Sequence, residues 1–235
     1  MELTFLGNGA AFTTDFDNTS AYFIEKQELF LIDCGETVFK KLLRLHLLEN
    51  ISKVHLFITH LHSDHVGSVP SLALYSFSVL GEKLHIYTSF DCKYLYSLKE
   101  FLRATGSFQA CSFHLLDELS HHYQSFSSVS FIETKHVSEL NCYSILFDTS
   151  LGLLFYSGDS NDINLLLSIT SNDHFNLAYV DTTSSTLPNQ PHLSIYSLVD
   201  RIPQSIRKQI YCMHFNDSNC IQLAEEFGFS VVDTI

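Results

Sequence analysis

At 235 residues the chain can bury a sizeable core, and 46% hydrophobic against 17% charged residues suits a compact globular protein, read as one domain over 1–235. A formal charge of −13 argues against a broad phosphate-tracking surface for long nucleic acids, although a local basic patch would escape that count. No stretch has the apolar length of a membrane span, and the cysteines (Cys34, Cys92, Cys111, Cys142, Cys212, Cys220) form no Cys-x-x-Cys pair and follow no leading apolar signal segment, so the expectation is a cytoplasmic protein in a reducing compartment without a membrane partner.

The pattern along the chain is of strands interleaved with helices. Leu3 to Leu6, Ser20 to Glu25 and Leu29 to Asp33 read as opening strands, the last ending in a carboxylate followed by Cys34-Gly35. Glu36 to Leu48 carries leucines at helical spacing, and Val54 to Ile58 is another apolar run. Ser68 with Pro70 reads as the cap and first turn of a helix through Ser78, followed by a strand, Leu84 to Thr88, and a helix near Asp91 to Arg103. Ser112 to Leu116, Ser128 to Lys135, Cys142 to Phe147 and Gly152 to Tyr156 are aromatic or β-branched strands, with a hairpin connection at Asp148 to Gly152. The last third alternates: helix near Asn161 to Ile169, strand Leu177 to Asp181, helix near Ser194 to Val199, strand Gln209 to Met213 and helix Ser218 to Phe227. This is a layered α/β pattern with an antiparallel middle and no evident internal repeat.

The densest chemistry lies in Thr59-His60-Leu61-His62-Ser63-Asp64-His65, directly after the run Val54 to Ile58. Neighbouring side chains of an extended segment point apart, so the alternating pair His60 and His62 can face one ion, leaving Asp64 and His65 free to reach a second. Desolvating so many ionisable groups together would be costly without a cation, which makes this a metal site and favours two ions. Further ligands are sought where later strands end: His136 after Ser128 to Lys135, Asp159 after Leu153 to Gly158, and His214 after Ile210 to Met213. Each has a plainer alternative. Asp159 alone could be a turn residue or the cap of the helix near Asn161, while His136 and His214 could be ordinary core or surface imidazoles. Asp181 and His192 read as a separate functional pair, although His192 could simply precede a helix cap. The other histidines read as structural or solvated, the adjacent pair His121-His122 standing out among them.

Taken in order, Phe5-Leu6-Gly7-Asn8-Gly9-Ala10-Ala11, Leu31-Ile32-Asp33-Cys34-Gly35-Glu36, His60-x-His62-x-Asp64-His65, His136, Gly158-Asp159-Ser160, His192 and His214 resemble the metallo-β-lactamase superfamily, nearest to its ribonuclease Z-like phosphodiesterases. The resemblance spans nearly the whole chain and implies a four-layer αβ/βα sandwich with a dinuclear zinc site at one sheet edge. It implies His60, His62 and His136 on one zinc, Asp64, His65 and His214 on the other, and Asp159 bridging them. It makes His192 the catalytic histidine, oriented by Asp181 where family members commonly have glutamate. Such ligands suit Zn²⁺, with Mn²⁺ or Fe as substitutes. Two ions about 3.5–4 Å apart would activate water and neutralise phosphoryl oxygens in hydrolysis of a phosphodiester. Asp64 would then steer the water or take its proton, and protonated His192 would serve the leaving alkoxide.

Ribonuclease Z grips transfer RNA with a long protruding arm, whereas Cys142 to Asp159 reads only as a hairpin. Size, opening motif and missing arm make the chain similar to the anti-Pycsar cyclic-nucleotide phosphodiesterases, with which phages and some bacteria destroy cyclic mononucleotide signals. A 3′,5′-cyclic nucleotide monophosphate substrate and a homodimer are what that similarity implies. Tyr75, Phe77, Tyr94 and Tyr96 are candidates to stack a base, and Thr182, Thr183 and Ser184 to touch phosphate. The alternatives are a transfer RNA 3′-processing endonuclease, an ester, lactone or thioester hydrolase, and a metal-stabilised protein that sequesters a nucleotide without cutting it.

Overall fold

The structure, a computed structural model, describes residues 1–13, 15–89, 92–114, 116, 119 and 123–235, with the side chain of residue 92 left aside. The His121-His122 pair, Asp91 of the expected helix and Leu115 of the expected strand lie outside the described residues. Among the described residues the strands form two six-stranded sheets. The first runs β1 (Thr4–Gly7), β2 (Ser20–Glu25), β3 (Glu28–Ile32), β4 (Lys53–Phe57), β5 (Leu84–Tyr87) and β6 (Cys111–His114) in spatial order. The second orders β7 (Ser128–Thr134), β8 (Cys142–Thr149), β9 (Gly152–Tyr156), β10 (Phe175–Asp181), β11 (Ile210–Met213) and β12 (Ser230–Val231) the same way.

Alternation along the strands decides the layering, because successive side chains take opposite faces. In β3, Phe30 and Ile32 face the space between the sheets, while Leu29 and Leu31 join an outer cluster with Val38 and Leu42 of α1 (Val38–Arg44), Leu72 of α3 (Val69–Tyr75) and Leu98 of α4 (Cys92–Ala104). In β9, Leu154 and Tyr156 point inward, and Phe155 points out toward Leu166 of α5 (Ile163–Thr170), Leu198 of α6 (Ile195–Arg201) and Cys220 of α7 (Ser218–Glu226). Both faces of the central strands are therefore buried, which is why they read as continuous apolar runs. Aromatic rings fill the inter-sheet layer, Phe57 meeting Phe147 edge-on at 5.6 Å and Phe5 meeting Tyr179 at 5.0 Å. The result is the expected αβ/βα sandwich.

The two sheets share one plan that the sequence does not advertise. Each opens with three antiparallel strands, β1 to β3 and β7 to β9, and continues with parallel strands, β4 to β6 and β10 to β12. The carboxyl ends of β3 and β4 in one sheet, and of β7, β9, β10 and β11 in the other, each gather at one edge. Ligand sites in α/β sheets form outside such strand ends.

Several local expectations change. Ser68 does not cap its helix; its hydroxyl donates to the Gly35 carbonyl, lies 3.3 Å from Cys34 Sγ and accepts from Phe39 N at 3.2 Å. The helix expected from Ser68 through Ser78 is α3 followed by a π-helical turn Ser76–Leu80, and a one-turn α2 (Ser63–Val66) lies ahead of it in the segment read as a loop. β12 was not foreseen, two residues being too short to carry a pattern. The hairpin between β8 and β9 closes as expected, with Thr149 opposite Gly152. Gly152 takes φ +110°, and a Cβ there would come within 2.4 Å of the His174 carbonyl. The described cysteines, Cys34, Cys111, Cys142, Cys212 and Cys220, are buried and unpaired, and burial pushes the Cys34 thiol up to about 12. Among the described residues no helix is long and apolar enough to cross a membrane.

Candidate metal centre

The loop after β4 and the one-turn α2 carry His60, His62, Asp64 and His65 to the sheet edge, held from the neighbouring strand exit. Cys34 N donates to the His65 carbonyl at 2.7 Å and Ser68 N to the Cys34 carbonyl at 3.1 Å. Gly35 is obligatory, since a Cβ there would sit 1.9 Å from the Asp64 carbonyl oxygen. The second sheet contributes one residue per strand exit: His136 after β7, Asp159 after β9, Asp181 as the last residue of β10, and His214 after β11. A backbone bond from Tyr143 N to the Thr59 carbonyl, 3.1 Å, ties the two halves together beside the site.

All seven candidate ligands converge in two sets. His60 Nε2 and His136 Nε2 each lie 3.7 Å from Asp159 Oδ2, and both approach His62 Nδ1, at 3.0 and 3.3 Å. Across the carboxylate, His65 Nε2 and His214 Nε2 lie 3.2 and 3.3 Å from Asp159 Oδ1, and each stands 3.4 Å from Asp64 Oδ2. The Asp159 carboxylate thus presents one oxygen to each set, and both sets are compact enough to hold a metal ion. It is not a helix cap, because Asp162 takes that role by accepting from Leu165 N at 3.1 Å.

The hydrogen bonds behind the ligands decide which nitrogen faces the site. His136 Nδ1 donates to the Pro191 carbonyl at 3.1 Å, leaving Nε2 as a lone pair toward the cluster. Asp33 accepts from Thr59 N at 2.8 Å, from Thr59 Oγ1 at 2.7 Å and from His65 Nδ1 at 2.8 Å. With its proton committed to Asp33, Thr59 Oγ1 can accept only from His60 Nδ1, 3.1 Å away. One buried carboxylate therefore orients two imidazoles, His65 directly and His60 through a hydroxyl. Sequence reasoning noted Asp33 in its motif but missed this role; its only signal was a polar residue ending an apolar strand.

A divalent cation fits these residues. His60, Asp64, His65, Asp159 and His214 are at most 4% exposed, and His65 Nε2 is buried with no hydrogen-bond partner although two carboxylates lie near it. Burial, reinforced by His65, holds His60 well below the usual imidazole range, so it is neutral and ready to ligate. Burial also pushes His65 and His214 down, but Asp159 with Asp33 on one and Asp159 with Asp181 on the other outweigh it, raising His214 to about 10. Protons held there are what a cation would displace.

Asp181 and His192 meet as expected: His192 Nδ1 donates to Asp181 Oδ2 at 2.7 Å. Ser160 N donates to the same oxygen at 3.0 Å, and Asp181 Oδ1 lies 3.4 Å from His214 Nδ1, so one aspartate backs both histidines. The aspartate at this position is long enough to reach. Burial lowers the His192 imidazolium, yet the Asp181 charge and hydrogen bond reverse the net direction to a raised value. A cleft of about 280 Å³ opens over the cluster, lined among others by Phe12, Asp64, His136, His192, His214 and Asn216.

The candidate substrate contacts are not assembled here. Tyr75, Phe77, Tyr94 and Tyr96 do not line the cleft, Tyr94 being buried in the outer core. Thr182, Thr183 and Ser184 are also absent from its walls: Thr182 Oγ1 donates to the Val180 carbonyl at 2.8 Å, Thr183 Oγ1 accepts from Asn216 at 3.3 Å, and Ser184 donates to Asp217 at 3.2 Å. Of the remaining described histidines, His55 bonds to Tyr87 and Glu28 at 3.1 and 2.6 Å and stacks on Phe30 within the fold.

Two facing sheets with outer helices and a His/Asp cluster at one edge define a metallo-β-lactamase fold. The metallo-β-lactamase fold protein YhfI of Bacillus subtilis superposes with a TM-score of 0.70 over 97% of this chain and 94% of that one, at 19% identity. Human tRNase Z, short form, does so at 0.61 over 93% of each chain, also at 19% identity. Within that fold, residues 1–231 match the model of the Anti-Pycsar protein Apyc1 family, and the chain belongs to it. The Anti-Pycsar protein Apyc1 of Bacillus phage 010DV004 is 28% identical over 240 residues, spanning 93% of this chain and 90% of that protein.

Proposed function

We propose that the chain is a dinuclear-metal phosphodiesterase acting on small phosphodiesters, 3′,5′-cyclic nucleotide monophosphates foremost. The observation that carries this reading is the Asp159 carboxylate, which stands with one oxygen in each of two donor sets. Two divalent cations held there by His60, His62 and His136, by Asp64, His65 and His214, and by Asp159 between them, would supply charge neutralisation at phosphorus and an activated water. The donor set suits zinc, with manganese or iron as substitutes.

The chain's own groups divide the remaining work. Asp64, kept ionised because hydrogen bonds from His214 and His65 outweigh its burial, accepts a hydrogen bond from the attacking water, aims it at phosphorus and takes its proton as the new bond forms. His192, its Nδ1 anchored on Asp181, offers Nε2 to the leaving oxygen: as the phosphorus–oxygen bond breaks, that oxygen takes the Nε2 proton and departs as a hydroxyl. An acid placed there serves the oxygen leaving phosphorus, whereas an activated water attacking a carbonyl has less need of it, which favours phosphodiesters over esters, lactones or thioesters. The tight β8–β9 hairpin, the small cleft and the charge of −13 favour a mononucleotide over a folded RNA. The reading includes a homodimer, supported by the exposed Leu74, Phe77 and Val79 along one helical segment.

The test is a panel of cyclic mononucleotides, cyclic dinucleotides and unprocessed transfer RNA, each incubated with and without chelator. Chelator-sensitive opening of cyclic mononucleotides is the expected result. Cleavage of transfer RNA alone would replace this reading with 3′ processing, and nucleotide binding without turnover would replace it with sequestration.

A further inference from the structure

Phe12 is 97% exposed, more than any other large hydrophobic side chain described, and forgoes the burial a phenyl ring otherwise gains. Among the described residues it is also the one carbon-ring aromatic lining the cleft, where His192, His214 and Asn216 are its companions. The backbone that carries it is fixed. Ala10 N donates to the Phe215 carbonyl at 3.0 Å, and Phe215 N to the Asn8 carbonyl at 2.7 Å, so the loop is stitched to the segment bearing His214. Thr13 closes the turn onto the Ala10 carbonyl with its N at 3.2 Å and its Oγ1 at 2.7 Å. Gly9 lets the loop close so tightly that a Cβ there would come within 2.5 Å of Thr13 Oγ1. The neighbours Ala10 and Ala11 also line the cleft and are too small to screen the ring from it.

An exposed aromatic on a tethered backbone is preorganised, because little freedom remains to be lost when a flat ligand stacks on it. We propose that Phe12 is the stacking platform for the planar base of the substrate, gripping the ring while the edge cluster holds the phosphate. This rests on the nucleotide reading above and adds the residue that gives it a base-recognition surface. Stacking of this kind tolerates every base, since each has a π-face, so Phe12 selects for the presence of a base and not for its identity.

Phe12→Ala is expected to raise KM for purine and pyrimidine cyclic mononucleotides roughly tenfold to hundredfold with kcat nearly unchanged, from the usual strength of base–aromatic stacking. Phe12→Tyr should restore KM, and a cyclic phosphodiester lacking a base should be cut equally by both variants and the parent. Equal loss on the base-free probe, or no change on nucleotides, would overturn the proposal. Because the chain contains no tryptophan, Phe12→Trp installs a single selectively excitable reporter. Quenching of its emission by a cyclic mononucleotide supports stacking even where no turnover occurs, separating this inference from the hydrolysis reading. Turnover or binding without quenching counts against Phe12 alone.

Discussion

The two sheets build the same edge by opposite means. The first concentrates its donors in one segment, His60 to His65, and braces it from β3 through Asp33 and Gly35. The second sends a single residue from each of several strand ends: His136, Asp159, Asp181 and His214. A contiguous cluster depends on local geometry, while a distributed one exists only when the strands are in register, so the second half's contribution is a readout of the whole fold.

Removing the residue shared by both sets should break this arrangement most severely. Asp159→Ala is expected to lower activity on the order of a thousandfold or more and to reduce bound metal at both positions, measured by elemental analysis beside kinetics. Unchanged metal content would refute the shared-carboxylate reading. Next in size, His192→Ala should cost about a hundredfold to ten-thousandfold in kcat with metal content intact. The pH profile sharpens the same point. If His192 is the proposed acid it must be protonated to serve the leaving oxygen, and because its value is raised, activity should persist until pH rises through that value. Asp181→Asn removes the charge that raises it and leaves burial, which lowers it, so the alkaline decline should move to lower pH. An unmoved decline would assign that limb to another group.

A smaller loss should separate the braces from the ligands. Asp33→Asn is expected to weaken metal affinity about tenfold to a hundredfold, because His65 and His60 lose their orienting partner while keeping their donor atoms. Titration of apoprotein with zinc reads this directly, and parent-like affinity would demote Asp33 to a packing role. The mildest effect is expected for Ser68→Ala, which deletes the hydroxyl bridging Gly35 and Phe39: a net loss of about 1 kcal/mol, or roughly 2–4 °C in Tm by calorimetry, with kinetics preserved.

The same contrast explains what could be read from the chain alone. His60 to His65 announces itself, because so many ligating side chains in one short loop have few other uses. His136, Asp159 and His214 were legible only as residues at strand exits, and each had an ordinary explanation until the motif order resembled a known family. Asp33, Thr59 and the double duty of Asp181 escaped notice, since a buried carboxylate that orients an imidazole leaves no periodicity or spacing behind. Ser68 misled for a related reason: serine before a helix with proline in its first turn reads as a cap, yet its hydroxyl is drawn to the nearer Gly35 carbonyl. The aromatic candidates stand away from the cleft, Tyr94 packed into the outer core while Phe77 and Tyr96 face outward, whereas Phe12 lies in an irregular loop that periodicity cannot flag.

Asp33 and His214, immediately after β3 and β11, both adopt left-handed backbone conformations, with φ of 58° and 62°. A side chain bearing a Cβ gives up roughly 1–3 kcal/mol to stand in such a region. At position 214 a glycine would relax the main chain and discard the imidazole, so conformational ease and chemical competence pull in opposite directions at that one residue. A descendant freed from catalysis would therefore gain thermal robustness by decaying there first, and a hardened but inert variant is the outcome to expect from any selection that rewards folding alone.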